Sequence, residues 1–554
     1  MNATILRRPQ WPALASWRAW RSWRPELSTE ALLVLSAVFF AVACNGPFWR
    51  SALAIHPGNP RLAAALFLLL VGVHALLLGL LAWRWNVRIV LSVLLPVALV
   101  ATHYMRRYHL YLDADMLRNV LATDRKESGE LLTLSLLLPL LASLPPLLLV
   151  WRIRLRRYRP GHALVRRGVF LLATLAVIAG GALLASQDVS SLLRNHREVR
   201  YLATPANMLV GLPRALRAEG PVRHTPRLPV GEDAQATPRG AGSRPRLLVV
   251  VAGETVRAAN WGLNGYDRQT TPELARADVV NFTDMRACGT STEVSLPCMF
   301  SPWGRHDYDE ARIRSHQSLL HVLEHAGIAT LWRDNQSGCK GVCEGLEIDQ
   351  LDSGTDPALC ADGRCLDEIL LKDLPAQVRA RPGDRVVVLH PLGNHGPSYF
   401  ERYPAAFRRY TPTCDTPDLG HCSREQIVNS YDNALLYTDH LLARTIDTLR
   451  GMDDYDTAMI YLSDHGESLG EKGLYLHGMP RAIAPDQQTR VPMVMWLSPG
   501  LAGTRHLDLA CLRERATQPT DQDALFSSVL GLMQVRTSLY DPRYDVFAGC
   551  QADT

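Results

Sequence analysis

Lysine is nearly missing from this chain: four residues in 554, so arginine carries almost all of a basic complement of 59. Neither sign of charge dominates, because 54 acidic side chains leave a formal net charge of +5. That balance excludes a polybasic nucleic-acid arm and an acidic disordered chain, and no nucleic-acid partner is expected. Glycine (38) and proline (35) are too few for collagen-like or proline-rich low complexity. A cleavable signal peptide is also lacking, since the polar N-terminal stretch is long and further apolar runs follow. Charged residues make up only 20% of the chain against 47% hydrophobic ones, and the hydrophobic ones crowd the first third. At roughly 150 residues per domain the length implies two to four domains.

Five apolar runs stand out, at 31–49, 62–83, 88–102, 131–151 and 168–186. Most approach the ~20 residues that cross ~30 Å of hydrocarbon as helix; the third is short. As buried helices of a soluble protein they would leave little polar surface to cover them. Arginine placement orients them. Arg7, Arg8, Arg18, Arg21 and Arg24 precede the first run, Arg84 and Arg88 follow the second, and Arg152, Arg154, Arg156, Arg157, Arg159, Arg166 and Arg167 follow the fourth. Those segments share one side, the cytoplasm, and an odd number of spans places everything after about residue 187 outside. The expected division is a cytoplasmic basic N-terminus (1–30), a five-helix transmembrane domain (31–186) with an external loop near 103–130, a linker (187–245) that is flexible near 229–245, and an exported domain (246–554). Trp17, Trp20 and Trp23 alternate with arginines, which suits an interfacial segment or a disordered basic tail equally.

Cysteine usage agrees with export. Cys44 lies in the first run and the other ten of eleven lie in the C-terminal half. Eight form sequence-close couples: Cys288/Cys298, Cys339/Cys343, Cys360/Cys365 and Cys414/Cys422. Ten in an exported domain suggest five bridges, leaving Cys511 and Cys550 as partners by elimination. Zinc fingers are the rival, but repeated CxxC pairs with ligand histidines are missing.

Beyond the linker, β-branched runs recur: RLLVVVA (246–252), RVVVLH (385–390), TAMIYLSD (457–464) and VPMVMWLS (491–498). Helical stretches lie between them, at 315–327 and 424–450. Buried strands alternating with helices predict an α/β domain with a mostly parallel sheet covered by helices on both faces. Ligands in such folds sit at the carboxyl ends of strands. There stand Glu254, His390 and His395, then Asp464 with His465; His477 follows in YLHGMP. Carboxylates with imidazoles form a metal-site vocabulary that zinc accepts. Singly, a strand-end carboxylate is more often a helix cap and a lone histidine more often structural. The combination carries the inference.

At these residues the sequence closely resembles the lipid A phosphoethanolamine transferases, including the mobile colistin-resistance proteins, whose soluble half has the alkaline-phosphatase/sulfatase fold. The matching motifs are GETVRAANWGLNGY (253–266), CGTSTEVSLPCMFS (288–301), DNQSGCKGVC (334–343), NHGPSYFERY (394–403), SDHGES (463–468) and YLHGMP (475–480), with the loop DADMLRNVLATDRKE (113–127). The resemblance runs over nearly the whole chain. It implies zinc ligands at Glu254, Thr292, Asp464 and His465, with Thr292 as nucleophile. The plainer reading of Thr292 is a helix N-cap. His395 and His477 match a second histidine pair with three alternative roles: binding the phosphoryl group, holding a second zinc, or protonating the leaving oxygen. His390 matches a family position too, and a structural role is its default.

Lys340 falls where the family contacts the phosphoethanolamine phosphate, with Ser337, Gln336 and Glu467 at neighbouring substrate contacts. Glu467 would hold the substrate ammonium or be a solvated surface carboxylate. Asn119, Thr123 and Glu127 stand four apart, so a helix would align them on one face. The resemblance makes that face a lipid-substrate contact; a plain polar face is the alternative. Two positions depart from the family: Glu293 follows the nucleophile where a small residue is common, and Gln336 replaces an asparagine. Glu293 is expected to point away from the metal. The implied reaction moves phosphoethanolamine from phosphatidylethanolamine to lipid A through a threonine-linked intermediate, among membrane lipids and as a monomer, and gives polymyxin resistance. The rivals are another acceptor (core sugar, periplasmic glucan or protein), net hydrolysis as a phosphodiesterase, and a non-catalytic membrane sensor.

Overall fold

The computed structural model describes residues 24–551 except 56, 124, 219–225, 241, 352–355 and 362–363. The expectations for Arg7, Arg8, Arg18, Arg21, Trp17, Trp20 and Trp23 lie outside the described residues. The chain forms two compact units: residues up to His103 with Ser135–Ala206, and Tyr104–Leu134 with Asn207 onward.

The first unit is helical. Its apolar runs become α1 (Thr29–Ala43), α2 (Gly46–Ile55), α3 (Pro60–Leu81) and α4 (Val87–Tyr108). The loop near 103–130, which belongs to the second unit, holds α5 (Ala114–Ala122) and α6 (Arg125–Leu131), and the first unit resumes with α7 (Leu137–Arg152) and α8 (Pro160–Leu184). Four helices, Pro60–Leu81, Val87–Tyr108, Leu134–Arg152 and Pro160–Leu184, are long and apolar enough to cross a membrane; α1 with α2 makes a fifth if that bent pair is one span. The continuous first span expected at 31–49 is therefore corrected to two helices bent by 63°. Asn45 is the cause. Its buried side-chain amide donates to the carbonyls of Phe40 (2.8 Å) and Thr204 (2.6 Å), capping the end of α1, and Pro47 lacks an N–H to continue it. The third run proves longer than its apolar core, because α4 continues through the polar turn His103–Tyr108.

Residues 187–245, expected as a linker, instead contain the helices Ser186–Asn195 and Ala206–Ala218. Their last part is tied down: Val230 and Ala234 are buried in the core, and Gln235–Ala236 pairs with Val535–Arg536. Two small apolar residues in a Pro/Gly-rich stretch were enough to anchor it.

The second unit is built on eight strands: β1 (Arg246–Gly253), β2 (Val280–Arg286), β3 (Ala329–Asp334), β4 (Ile348–Gln350), β5 (Arg385–His390), β6 (Asp456–Ser463), β7 (Arg490–Leu497) and β8 (Thr520–Asp521). Their order in the sheet is β8-β2-β7-β6-β1-β5-β3-β4. Alternation along β1 explains its central place. Leu247, Val249 and Val251 face one apolar core, with Tyr431, Leu435 and Leu442 of the long helix at Arg424–Arg450; Leu248, Val250 and Ala252 face the other, with Leu320, Phe526 and Val529. The sheet is mixed yet mostly parallel: among its eight strands β7 alone runs antiparallel, to both β6 and β2. The reason is the connection. A parallel neighbour needs a crossover helix, and residues 464–489 hold only a three-residue and a four-residue helical turn, so the chain turns back at the same sheet end. Disulfides join Cys288–Cys298, Cys339–Cys343, Cys360–Cys365, Cys414–Cys422 and Cys511–Cys550, and the buried Cys44 is outside these bridges.

Candidate active site

Strand register builds the site. Gly253 of β1 is paired with Ser463 of β6, so the next residues, Glu254 and Asp464, leave the sheet side by side. Thr255 bends the chain there with φ +59°, a left-handed conformation costly for a β-branched residue, about 1–3 kcal/mol. Hydrogen bonds hold it: Thr255 N donates to Asp464 Oδ1 (3.0 Å) and its hydroxyl donates to Glu254 Oε1. His465 N also donates to Asp464 Oδ1 (2.7 Å). His465 Nδ1 donates to the Gly466 carbonyl (3.0 Å), which turns Nε2 inward.

Ligand atoms of Glu254, Asp464 and His465 lie within 4.8 Å of one another, all buried. Thr292 Oγ1 joins them, 3.0 and 3.3 Å from the Glu254 oxygens and 3.4 Å from His465 Nε2. Thr292 is the first residue of α9 (Thr292–Met299), and Ser291 is the N-cap. The N-cap alternative for Thr292 is therefore corrected by one residue. The helix terminus still favours negative charge on its hydroxyl.

The donor set fits a divalent cation. Asp464 Oδ2 is buried without a hydrogen-bond partner among the described residues. Burial pushes both carboxyls up. At Glu254 the charges of His465 and His395 outweigh burial and bring it down to about 2; at Asp464 the Glu254 charge adds to burial and raises it to about 6. Two buried carboxylates that repel each other around an inward imidazole and a hydroxyl suit Zn²⁺.

Glu467 is fully buried, which corrects the solvated-surface alternative. Burial pushes its carboxyl up to about 8 against the His465 and His395 charges, and Oε2 lies 3.1 Å from His477 Nδ1. The His477 ring lies 4.4 Å from His465 and 5.6 Å from His395 between centroids. Gln336 Nε2 donates to Glu254 Oε2 (2.7 Å), so the residue that replaces the family asparagine orients a candidate ligand. Lys340, at φ +49°, donates to Ser337 Oγ (2.7 Å) and pairs with Glu293 Oε1 (3.2 Å). Glu293 Oε2 also pairs with Arg314 (3.2 Å). Burial pushes the Glu293 carboxyl up, but those two cations hold it below the usual glutamate range. Its carboxylate is thus committed to Lys340 and Arg314. Exchange of Glu293 for alanine strips Lys340 of its carboxylate and leaves Arg314 with Glu310 alone, and we expect a loss of about 3 kcal/mol in denaturant unfolding of the detergent-solubilised protein. An unchanged midpoint would contradict the pairing.

Asn119 and Thr123 do not continue into one helical face with Glu127. Thr123 is the C-cap of α5, its hydroxyl donating to the Asn119 carbonyl (2.8 Å), and Glu127 lies in the separate helix α6, its side chain outside the described residues. Asn119 lines a cleft with Thr290 and Ser291.

His390 is held by Asp334: Nδ1 lies 2.8 Å from Asp334 Oδ2, and Trp332 Nε1 donates to the same oxygen (2.7 Å). Sequence reasoning missed Asp334, although it too is a strand-end carboxylate, because the run ATLWRD was not read as a strand. Arg402 was missed with no signal to find it. Its Nε donates to the His395 carbonyl (2.7 Å), and its Nη2 bonds both Glu130 oxygens (2.8 and 2.7 Å).

A mixed sheet with this carboxylate–imidazole–hydroxyl cluster at its strand ends defines the sulfatase class, and a family model described as Sulfatase matches residues 246–535. A second family model, described as Phosphoethanolamine transferase EptA/EptB, matches residues 70–219. Phosphoethanolamine transferase EptA of Escherichia coli K12 is 37% identical over 541 residues, covering 95% of this chain and 98% of that protein. Phosphatidylethanolamine transferase Mcr-1 of Escherichia coli is 36% identical over 488 residues, 85% of this chain and 90% of that one. The solved structure of the integral membrane lipooligosaccharide phosphoethanolamine transferase A of Neisseria meningitidis superposes with a TM-score of 0.90 at 35% identity, covering 96% of this chain and 100% of that chain. The chain belongs to the phosphoethanolamine transferase family. It is a membrane-anchored enzyme whose sulfatase-like domain follows its apolar helices.

Proposed function

We propose that the protein transfers phosphoethanolamine from phosphatidylethanolamine to a phosphate of lipid A, in the bacterial inner membrane, with the sulfatase-like domain in the periplasm. The observation that carries this reading is Thr292 Oγ1 at the start of a helix, within 3.4 Å of both Glu254 and His465 in a buried cluster completed by Asp464. Its relatives' names, phosphoethanolamine and lipooligosaccharide phosphoethanolamine transferases, supply the group and the acceptor class.

Glu254, Asp464, His465 and Thr292 would hold one zinc ion. When bound, zinc supplies Lewis-acid stabilisation of an alkoxide and of phosphoryl charge. Thr292 Oγ1 attacks the phosphorus of phosphatidylethanolamine, and the P–O bond to diacylglycerol breaks. The leaving oxygen takes a proton from the His395/His477 pair. Because Glu467 engages His477 Nδ1, Nε2 is the transferring atom on that ring. Lys340 and Ser337 bind the phosphoryl oxygens, Gln336 keeps Glu254 oriented, and Glu467 serves the ethanolamine ammonium. Asn119, Thr123 and Glu127, from the external loop, serve the lipid substrate.

An oxygen of the lipid A phosphate then attacks phosphorus and the P–Oγ bond of Thr292 breaks, restoring the hydroxyl. Membrane anchoring lets two lipids react without either being extracted into water. Each transfer adds an ammonium to an anionic surface and weakens attraction of cationic peptides such as polymyxins. Mass spectrometry of lipid A from cells expressing the protein is expected to show a phosphoethanolamine increment. Unmodified lipid A beside folded protein that still releases diacylglycerol would redirect the reading to another acceptor.

A further inference from the structure

Two arginines beside the nucleophile helix have no part in the donor reaction. Arg305 and Arg481 line one cleft with Asn119, Thr290 and Ser291, and Ser291 directly precedes Thr292. Arg481 is anchored through Nε, which donates to the Cys288 carbonyl (3.0 Å). Arg305 lies over the Tyr308 ring, 4.9 Å from its centroid. Among the described residues neither guanidinium makes an ion-pair contact with a carboxylate, and Asp521 and Asp523 act on Arg481 only through their field. The acidic side chains on the same cleft are engaged elsewhere: Asp113 caps α5 by accepting from Met116 N (2.9 Å), and Asp115 pairs with Arg118 (2.5 Å). Burial, with the charges of Arg305 and Arg286, holds the Arg481 guanidinium below its ordinary range despite Asp521 and Asp523. A half-buried arginine kept in the field of a second, with no carboxylate in direct contact, is an arrangement completed by a dianion, and guanidinium forks match phosphate oxygens.

We propose that Arg305 and Arg481 receive the phosphate monoester of the acceptor and hold it beside the phosphoethanolamine-bearing Thr292. This inference rests on the phosphate-acceptor reading above. It separates the two phosphates in space: the donor phosphodiester lies on the Lys340 side of the nucleophile, the acceptor phosphate on the Arg305/Arg481 side. Transfer then forms one P–O bond to the acceptor oxygen and breaks the P–Oγ bond of Thr292, whose oxygen regains a proton.

The test uses the full-length zinc-loaded enzyme in detergent, with lipid A as acceptor and a fluorescent phosphatidylethanolamine as donor. Arg305→Ala and Arg481→Ala are each expected to raise the KM for lipid A about tenfold, and the double variant more, with kcat at saturating acceptor kept within about threefold. Arg305→Lys and Arg481→Lys should recover part of the loss, because lysine keeps the charge but not the fork. A rise in donor KM with acceptor KM unchanged assigns the cleft to the donor phosphodiester and overturns the inference. So does a fall in kcat alone, or a lysine variant no better than alanine. If the wild-type enzyme releases diacylglycerol but never modifies lipid A, the acceptor reading itself fails, an outcome distinct from any variant-specific result.

Discussion

Exchange of Thr292 for alanine is expected to lower phosphoethanolamine transfer by about 10³-fold or more, while the protein folds and keeps most of its zinc. Among the described residues the hydroxyl is the one nucleophile-type atom that touches both Glu254 and His465. Without it the remaining three ligands still converge. Thr292→Ser restores an oxygen at that position, with added rotational freedom once the methyl group is lost, and should retain measurable transfer. Diacylglycerol release from a fluorescent phosphatidylethanolamine separates the outcomes. Release by the alanine variant at the wild-type rate would remove Thr292 from the chemistry.

Exchange of Asp464 for asparagine should have the second large effect, with opposite signs in two states of the protein. In the metal-loaded protein it removes an anionic ligand, and zinc affinity is expected to fall on the order of 10²-fold or more, with activity following. In the chelator-stripped protein the same change relieves repulsion between two fully buried carboxylates. The Glu254 charge and burial already raise the Asp464 carboxyl to about 6. Stripped Asp464→Asn should therefore unfold at a higher temperature than stripped wild type, by about 1–3 kcal/mol. Thermal melts with and without chelator, beside elemental analysis, read both signs. A variant destabilised equally in both states would mark Asp464 as purely structural.

The zinc-type cluster was legible because each member follows a long β-branched run, and strand ends in α/β sheets converge. Register does the rest, bringing Glu254 and Asp464 together across β1 and β6. Direction was less legible. The apolar pattern of β7 is that of a buried strand whichever way it runs; only the lack of a crossover helix in 464–489 reverses it. The kink after α1 hides in hydropathy, because Asn45 is one polar residue in an apolar run, and its effect depends on a carbonyl 159 residues away. The helix break at Thr123 was invisible for the opposite reason: i, i+4 spacing describes a helix only where the backbone stays helical. Ion pairs such as Glu293 with Lys340 and Arg314, or Arg402 with Glu130, join distant segments, and no local spacing encodes them. Cysteine pairs were easier, since four of the five bridges close loops of ten residues or fewer.

The most direct measurement is peptide mapping of the zinc-loaded enzyme after brief exposure to phosphatidylethanolamine without acceptor. The peptide carrying Thr292 should gain one phosphoethanolamine group and lose it when lipid A is added. Continued diacylglycerol release with Thr292 unmodified throughout, or the group found on His395 or His477 instead, would contradict the account.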